Sequence, residues 1–534
     1  MDDELRKEQF AFASESDRVP AKTLSVKPVS YFADARRRFV KNKGALAAFF
    51  ILLALLLFAL VAPLLSPYDV SYDDPYLRYN YPKNPICERL GFSFWDGCAK
   101  KELNETMFLR CLAVGAETGA PVVKNNAYKV RKQGADDTYI FRLDSYRQVG
   151  CVSMLVTAEE YRRIQAFQDE NEAQVIYPAV KANKTLLDKY PQFASDANIW
   201  YEVEERKPAG AIQKTLVPKV ARNADGSPVF DENGLATFTP NYVVHDETDA
   251  SHALYTSKMR VEGEEKKYAY AVKKNGNQLE IRVHYYEYYR YLHRHVLQDG
   301  IDEPIFLFGS TQTGKDVFTC LGSGARLSFL IAFCVSAVNL FVGAIYGAIE
   351  GYYGGKLDLF MERFSDVLSA VPFMIVITLL KLHLGATSQL IVLFIAFFLT
   401  GWIGMASRTR MQFYRFKNQE YVLAARTLGA SDRRVMFKHI FPNAIGTLIT
   451  GSVLSIPATI FSESSLSYLG IINLQTGSMT SVGNMLASAQ NYLTTYPYMT
   501  VFPALFICLL MLSFNLLGNG LRDAFNPSLR GAED

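Results

Sequence analysis

Residues 418–443 read NQEYVLAARTLGASDRRVMFKHIFPN, and this stretch decides the fold. It is basic and polar, and it lies between apolar runs at 390–406 and 444–461 that have the character of membrane spans. Ala424 and Ala425 are adjacent small residues on a predicted helix. Gly429 offers the stop, since glycine takes the left-handed conformation just past a helix end without steric cost. Ser431 can cap a second short helix through Arg433, Arg434, Phe437 and Lys438. Pro442 returns the chain to the membrane pattern, because proline sits at helix boundaries more readily than in interiors. The expected product is a helix–turn–helix lying across one membrane face, with small residues that admit close approach of another protein. An ordinary basic loop is the plain alternative.

Outward from this elbow, the 534-residue chain carries a net charge of +3, which gives no nucleic-acid signal. A mean hydropathy of +0.03 hides a split between long apolar runs and one large polar block. The run GALAAFFILLALLLFALVAPLL, 44–65, has no charge and reads as a transmembrane helix. It follows a polar tail and is too long for the apolar part of a cleaved signal peptide. Arg36, Arg37, Arg38, Lys41 and Lys43 precede it and place the N-terminus inside. Further spans are expected at 327–349, about 367–384, 390–406, 444–461 and 499–518, six in all, with both termini inside. Charge agrees: the 407–441 loop is rich in Lys and Arg against only Glu420 and Asp432, while 471–497 has no charge.

Residues 67–305 are then expected outside, as a folded α+β domain inserted between the first span and a five-helix core at 306–525. The remaining boundaries are a tail at 1–43, the first span at 44–66, the elbow within 407–442 and a C-terminal tail at 526–534. The inserted block shows strand-like runs at 138–143, 198–203, 241–246, 268–274 and 279–286, turn chemistry at Asn275-Gly276-Asn277, and a helical pattern at 161–174. It carries Cys87, Cys98, Cys111 and Cys151, for which an external location favours two disulfides, with three pairings open. Four free thiols are the alternative.

Three motifs remain. GSTQTGKD, 309–316, meets the first seven positions of a phosphate-binding loop, but Asp316 stands where Ser or Thr must hold magnesium. Glu463 lies in a span beside Ser462, Ser464 and Ser465; intramembrane acids mark functional paths by default. Glu463, Ser464 and Ser465 are therefore candidates for a translocation path, or Glu463 only bonds neighbouring hydroxyls. HYYEYYRYLHRH, 284–295, holds three histidines without a completing acid or cysteine set, so no metal site is expected. A tyrosine-rich surface at the membrane interface is expected there instead, with a docking patch for a binding protein as the alternative.

Segment 418–443 resembles the coupling loop of ABC importer permeases, whose pattern is Glu-Ala-Ala, a glycine four residues on and a proline thirteen further. Ala424, Ala425, Gly429 and Pro442 keep that spacing; Leu423 and Phe441 depart from the usual Glu and Leu. Glu420 is a common companion in the peptide-importer branch. Gly309, Gly314, Lys315, Asp316, Gly324, Ala325, Arg326 and Ser328 are similar to the string that opens the core of dipeptide and oligopeptide permeases. The runs at 351–372, 462–470 and 514–531 match three further family strings. The likeness covers roughly 36–66 and 306–531; typical members replace 67–305 by a short loop.

The resemblance implies an α-helical polytopic membrane protein with the six-helix ABC importer permease fold. It implies the C-type permease subunit of an ATP-driven oligopeptide/dipeptide importer in a bacterial inner or plasma membrane. The partners implied are a second permease subunit, two cytoplasmic ATPase subunits that carry ATP and magnesium, an extracytoplasmic peptide-binding protein and membrane lipid. The chain itself would hold no catalytic residue or cofactor. Nickel or another small solute is the alternative cargo. A membrane sensor or anchored surface protein acting through 67–305 is the alternative class.

Overall fold

The computed structural model describes residues 31–133, 136–177, 201–206, 213–218, 220–237, 272–274, 278–384, 388–477 and 479–525. Helix α1 (Tyr31–Lys41) leads into α2 (Lys43–Leu65), whose first turn is capped by Asn42 accepting from the Ala45 N–H at 3.1 Å. Ala45, Ala48, Ala59 and Ala62 form its buried side. Small residues there let neighbouring helices approach to backbone distance, which is how spans associate when lipid removes the hydrophobic drive.

The polar block folds as helices on antiparallel strands. Its elements are α3 (Pro85–Arg89), β1 (Cys98–Asn104), α4 (Glu105–Thr118), β2 (Val123–Gln133), β3 (Asp136–Asp144), β4 (Cys151–Thr157), α5 (Ala158–Asn171), β5 (Ile176–Tyr177), β6 (Tyr201–Arg206), β7 (Gln213–Pro218), β8 (Val272–Lys274), β9 (Gln278–His284) and α6 (Tyr285–Tyr291). One sheet has the order β1-β3-β2; its core is Phe108, Leu109 and Leu112 of α4 against Tyr139, Phe141 and Leu143 of β3. A second has the order β4-β9-β5, with β8 paired to β9, and packs Ile281 and Val283 on Tyr161, Ile164 and Phe167 of α5. Each sheet alternates inward apolar with outward polar residues, as a half-buried antiparallel sheet requires. The expected strands at 138–143 and 279–286 and the helix near 161–174 match β3, β9 and α5. The expected strand at 241–246 and the turn at 275–277 lie outside the described residues.

Two expectations for this block are corrected. The tyrosine-rich run is interior, not an interface surface: Tyr285, Tyr289 and Tyr291 are buried, and the first two pack with Tyr68, Leu77, Tyr146 and Phe306. The four-residue spacing puts Tyr285 and Tyr289 on one side, where they join the insertion to the chain leaving α2, while Tyr291 faces the α5 core. All four cysteines are free thiols, on α3, β1, α4 and β4. The Cys98 thiol lies 3.7 Å from the Asp96 carbonyl, and burial with nearby Asp144 and Asp96 pushes its pKa up to about 12. Cys111 packs beside the α4 core, and burial pushes its thiol up to about 11. Cys98 thus lies among charged groups and Cys111 against an apolar core, and both are held as protonated, poorly reactive thiols.

The membrane part follows: α7 (Val317–Tyr353), α8 (Gly355–Ser369), α9 (Phe373–His383), α10 (Gln389–Gly401), α11 (Ile403–Phe416), α12 (Glu420–Thr427), α13 (Asp432–Arg434), α14 (Phe441–Tyr468), α15 (Val482–Ala489) and α16 (Tyr498–Phe525). Among the described residues, five helical stretches are long and apolar enough to cross a membrane: α2, α7, α10 with α11, Asp432–Tyr468 and α16. The third expected span is a broken pair, α8 and α9 bent by 72°. Pro372 at the break lacks an N–H and disfavours helical geometry in Val371, so one straight helix cannot form. The second span begins ten residues before the expected 327, because Thr319 and Ser323 are buried inside the bundle despite their polarity.

Candidate functional site

The elbow is built as expected up to its second helix. The α12 turn closes with Ala430 N–H donating to Ala425 O at 3.0 Å and Gly429 N–H to Arg426 O at 2.9 Å, the two bonds of a Schellman ending. Gly429 stands at φ +82°. Ser431 occupies the capping position of α13, but its side chain makes no capping bond. The second helix is not a separate short one. It runs through a π turn, Val435–Ile440, directly into α14. Pro442 sits where the π turn passes into α14, and the wider turn before it accommodates the missing N–H.

One side of the elbow is locked to the bundle. Val422 is fully buried among Ala348, Tyr352, Phe413, Val435, Met436 and Ile440. The Tyr352 hydroxyl donates to Asp432 at 2.6 Å, and Arg426 lies over the same ring at 5.0 Å. Lys417 donates to the Gly351 carbonyl at 3.0 Å. The other side is open: Tyr421, Leu423 and Leu428 are 41%, 47% and 87% exposed, with Glu420, Ala424 and Gly429 exposed beside them. Ala425 is half-buried. Leu423, which departs from the glutamate of the coupling-loop pattern, extends this apolar surface.

Two features behind the elbow escaped the sequence reading. Gly343, Gly347 and Gly351 recur every four residues on α7 and face α11. A Cβ on Gly347 would stand 2.1 Å from the Ala406 carbonyl oxygen. The four-residue glycine spacing was a legible signal. Arg410 of α11 forks onto Asp358 at 2.6 and 2.9 Å and onto Glu362 at 2.8 and 3.1 Å, with Glu350 at 3.5 Å. That clamp ties the broken span to the helix that enters the elbow. Its partners are 48 to 60 residues away in sequence, so no local pattern announces it.

Glu463 is 1% exposed and accepts from the hydroxyls of Ser328 at 3.0 Å, Ser467 at 3.1 Å and Ser464 at 3.4 Å. The carboxylate thus fastens α14 to α7. Ser464 and Ser465 line a groove of about 430 Å³ with Phe461, Tyr468, Ile507 and Cys508; Glu463 is not in its wall. The 309–316 loop is a tight turn in which Asp316 caps α7, accepting from Phe318 and Thr319 N–H at 3.2 and 3.0 Å. Lys315 donates to the Val70 carbonyl at 2.8 Å. Among the described residues, no group of three or more His, Cys, Asp or Glu could hold a metal. His293 lies 2.7 Å from Asp299 and 3.2 Å from the Tyr72 hydroxyl.

Comparison with known proteins gives two family matches. The binding-protein-dependent transport system inner membrane component matches residues 339–531. The N-terminal transmembrane domain of oligopeptide transport permease C matches 30–82. The oligopeptide transport system permease protein OppC of Bacillus subtilis is 43% identical over 42% of this chain and 72% of its own length. The dipeptide transport system permease protein DppC of the same organism is 39% identical over 42% and 69%. The Haemophilus influenzae OppC is 37% identical over 43% and 72%. A solved inward-facing methionine ABC transporter aligns at 14% identity and a TM-score of 0.32, over 39% of this chain and 96% of that one.

Proposed function

Because this chain belongs to the binding-protein-dependent inner membrane permeases, among relatives of the OppC and DppC type, we propose that it is the C-type permease subunit of an ATP-driven peptide importer. The family works with a partner permease, ATPase subunits and a binding protein. In this chain the elbow at 420–442 docks on a cytoplasmic ATPase subunit, which puts both termini on the same side. The observation that carries the reading is the two-sided elbow: open at Tyr421, Leu423, Ala424 and Leu428, and locked to the spans through Val422, Tyr352 and Arg426. A push on the open side reaches α7 and α14 through packed contacts. ATP binding by the partner then biases the bundle between two cavity-facing states, as coupling requires a ligand with different affinities for the two. Ser464 and Ser465 line the path on the far half of α14, and Glu463, outside that groove, fastens α14 to α7.

The test is Gly429→Arg beside Gly429→Asn. Arginine adds bulk at the dock, while asparagine tolerates the left-handed turn. Gly429→Arg should insert and assemble but lose ATP-driven peptide uptake, and Gly429→Asn should keep most of it. Normal uptake by assembled Gly429→Arg complexes would remove the docking role.

The inserted domain, outside the cell, contacts the binding protein or the partner permease in this reading. Its ends meet: Lys83 N–H donates to the Phe306 carbonyl at 2.9 Å. A short linker can therefore replace 84–304 with little closure cost. That deletion should leave insertion intact and weaken capture of the binding protein or partner permease. Unchanged capture and transport would discard the role.

A further inference from the structure

Residues 86–95, ICERLGFSFW, expose a run of large apolar side chains. Ile86, Leu90, Phe92 and Phe94 are 68%, 66%, 49% and 69% exposed. The stretch is held rigid beneath them. Arg142 donates to the Ser93 carbonyl at 2.7 Å, Asp96 is gripped by Lys124 and Arg142 at 2.8 Å, and Glu88 lies 3.6 Å from Lys83. Glu88, the Ser93 carbonyl and Asp96 are thus turned to the domain, while Arg89 and the apolar side chains face outward. Exposed apolar patches of this kind mark protein or membrane contacts.

Trp95 fixes where the patch lies. Its indole N–H donates to the Leu307 carbonyl at 2.6 Å, and its ring stacks on Phe308 at 6.3 Å and Phe502 at 6.1 Å. Phe308 in turn stacks on Phe502 at 4.1 Å and on Phe58 at 6.4 Å. Phe58 and Phe502 belong to α2 and α16, near the ends of these two spans. Leu64 and Leu65, at the same end of α2, are 79% and 74% exposed. The apolar sides of two spans therefore continue through Trp95 onto 86–94 without a break. Tryptophan favours this level, where an apolar ring meets hydrocarbon and its N–H finds a polar partner.

We propose that residues 86–95 form a lipid-contacting wedge, which seats the α/β domain in the interfacial layer of a phospholipid bilayer. Continuity with the lipid-facing sides of α2 and α16 is what selects lipid over a protein partner.

The test places the full, unmodified chain in phosphatidylcholine liposomes doped with a phosphatidylcholine that carries a photoactivatable acyl chain. Peptides spanning 86–95 should acquire lipid adducts at a level comparable to those spanning 57–65. A Phe92→Ser/Phe94→Ser chain should lose adducts at 86–95 several-fold and keep those at 57–65. Absence of adducts at 86–95 while 57–65 is labelled overturns the proposal, as does labelling that the double substitution leaves unchanged. Adducts that vanish when the chain sits in its assembled transporter also overturn it, since a protein partner then covers the wedge. If the double variant fails to insert, labelling of the unmodified chain, alone and assembled, decides the matter.

Discussion

Gly429 has nothing within 4 Å of where a Cβ would stand, so only its backbone angle and the space outside the chain restrict substitution. That is why asparagine and arginine should separate there: one meets the conformational demand, the other also fills the open side. His284 gives a second residue-scale prediction. Burial, then the charges of Arg147 and Arg290, lower its pKa from the ordinary 6.5 to about 4. The fold holds it neutral, and an unfolded chain takes up its proton below about 6.5. Its contribution to stability is complete above pH 6.5 and is lost as pH falls toward 4. The thermal midpoint, followed by the near-ultraviolet tyrosine signal, should drop over that window, and His284→Gln should flatten the drop. An equal slope in both chains would rule His284 out as the source.

At the scale of elements, transmission from the elbow depends on how α7 lies against α11. Gly347 permits backbone contact there. Gly347→Leu must force the helices apart or distort them, at a cost of about 3 kcal/mol by analogy with overpacked cores. The expected result is a lower unfolding midpoint in mixed micelles, and weaker coupling of uptake to ATP hydrolysis in whatever fraction folds. An unchanged midpoint would mean that the seam is not close-packed. The Arg410 clamp backs the same contact from the other side. Arginine suits this position because its planar fork meets two carboxylates at once, which a lysine point charge does not.

For the whole molecule, the proposed function requires the elbow and the inserted sheets to face opposite compartments. Single cysteines at Leu428 and Arg131, in a chain whose native cysteines are serine, test this with a membrane-impermeant thiol reagent on intact cells. Arg131→Cys should label from outside, and Leu428→Cys only after permeabilisation. Labelling of both from one side would break the coupling scheme. The two regions are nonetheless one connected body. Asn80 N–H donates to the Ser310 hydroxyl at 2.8 Å, and the Tyr81 hydroxyl to the Thr495 carbonyl at 2.9 Å, so the insertion stands on the span ends.

The sequence alone determined where most of the spans lie, the first helix and turn of the elbow, and the family. An uncharged apolar run, a glycine that must adopt positive φ and a proline without an N–H are properties of neighbouring residues, readable without knowing what packs where. The tertiary structure decided the rest. It buried Tyr285 and Tyr289, surrounded Glu463 with hydroxyls from two helices, kept four cysteines apart, broke a span at Pro372 and brought three carboxylates to Arg410. Each of these depends on which distant elements meet, and a side chain's environment is set by that meeting and not by its neighbours in the chain.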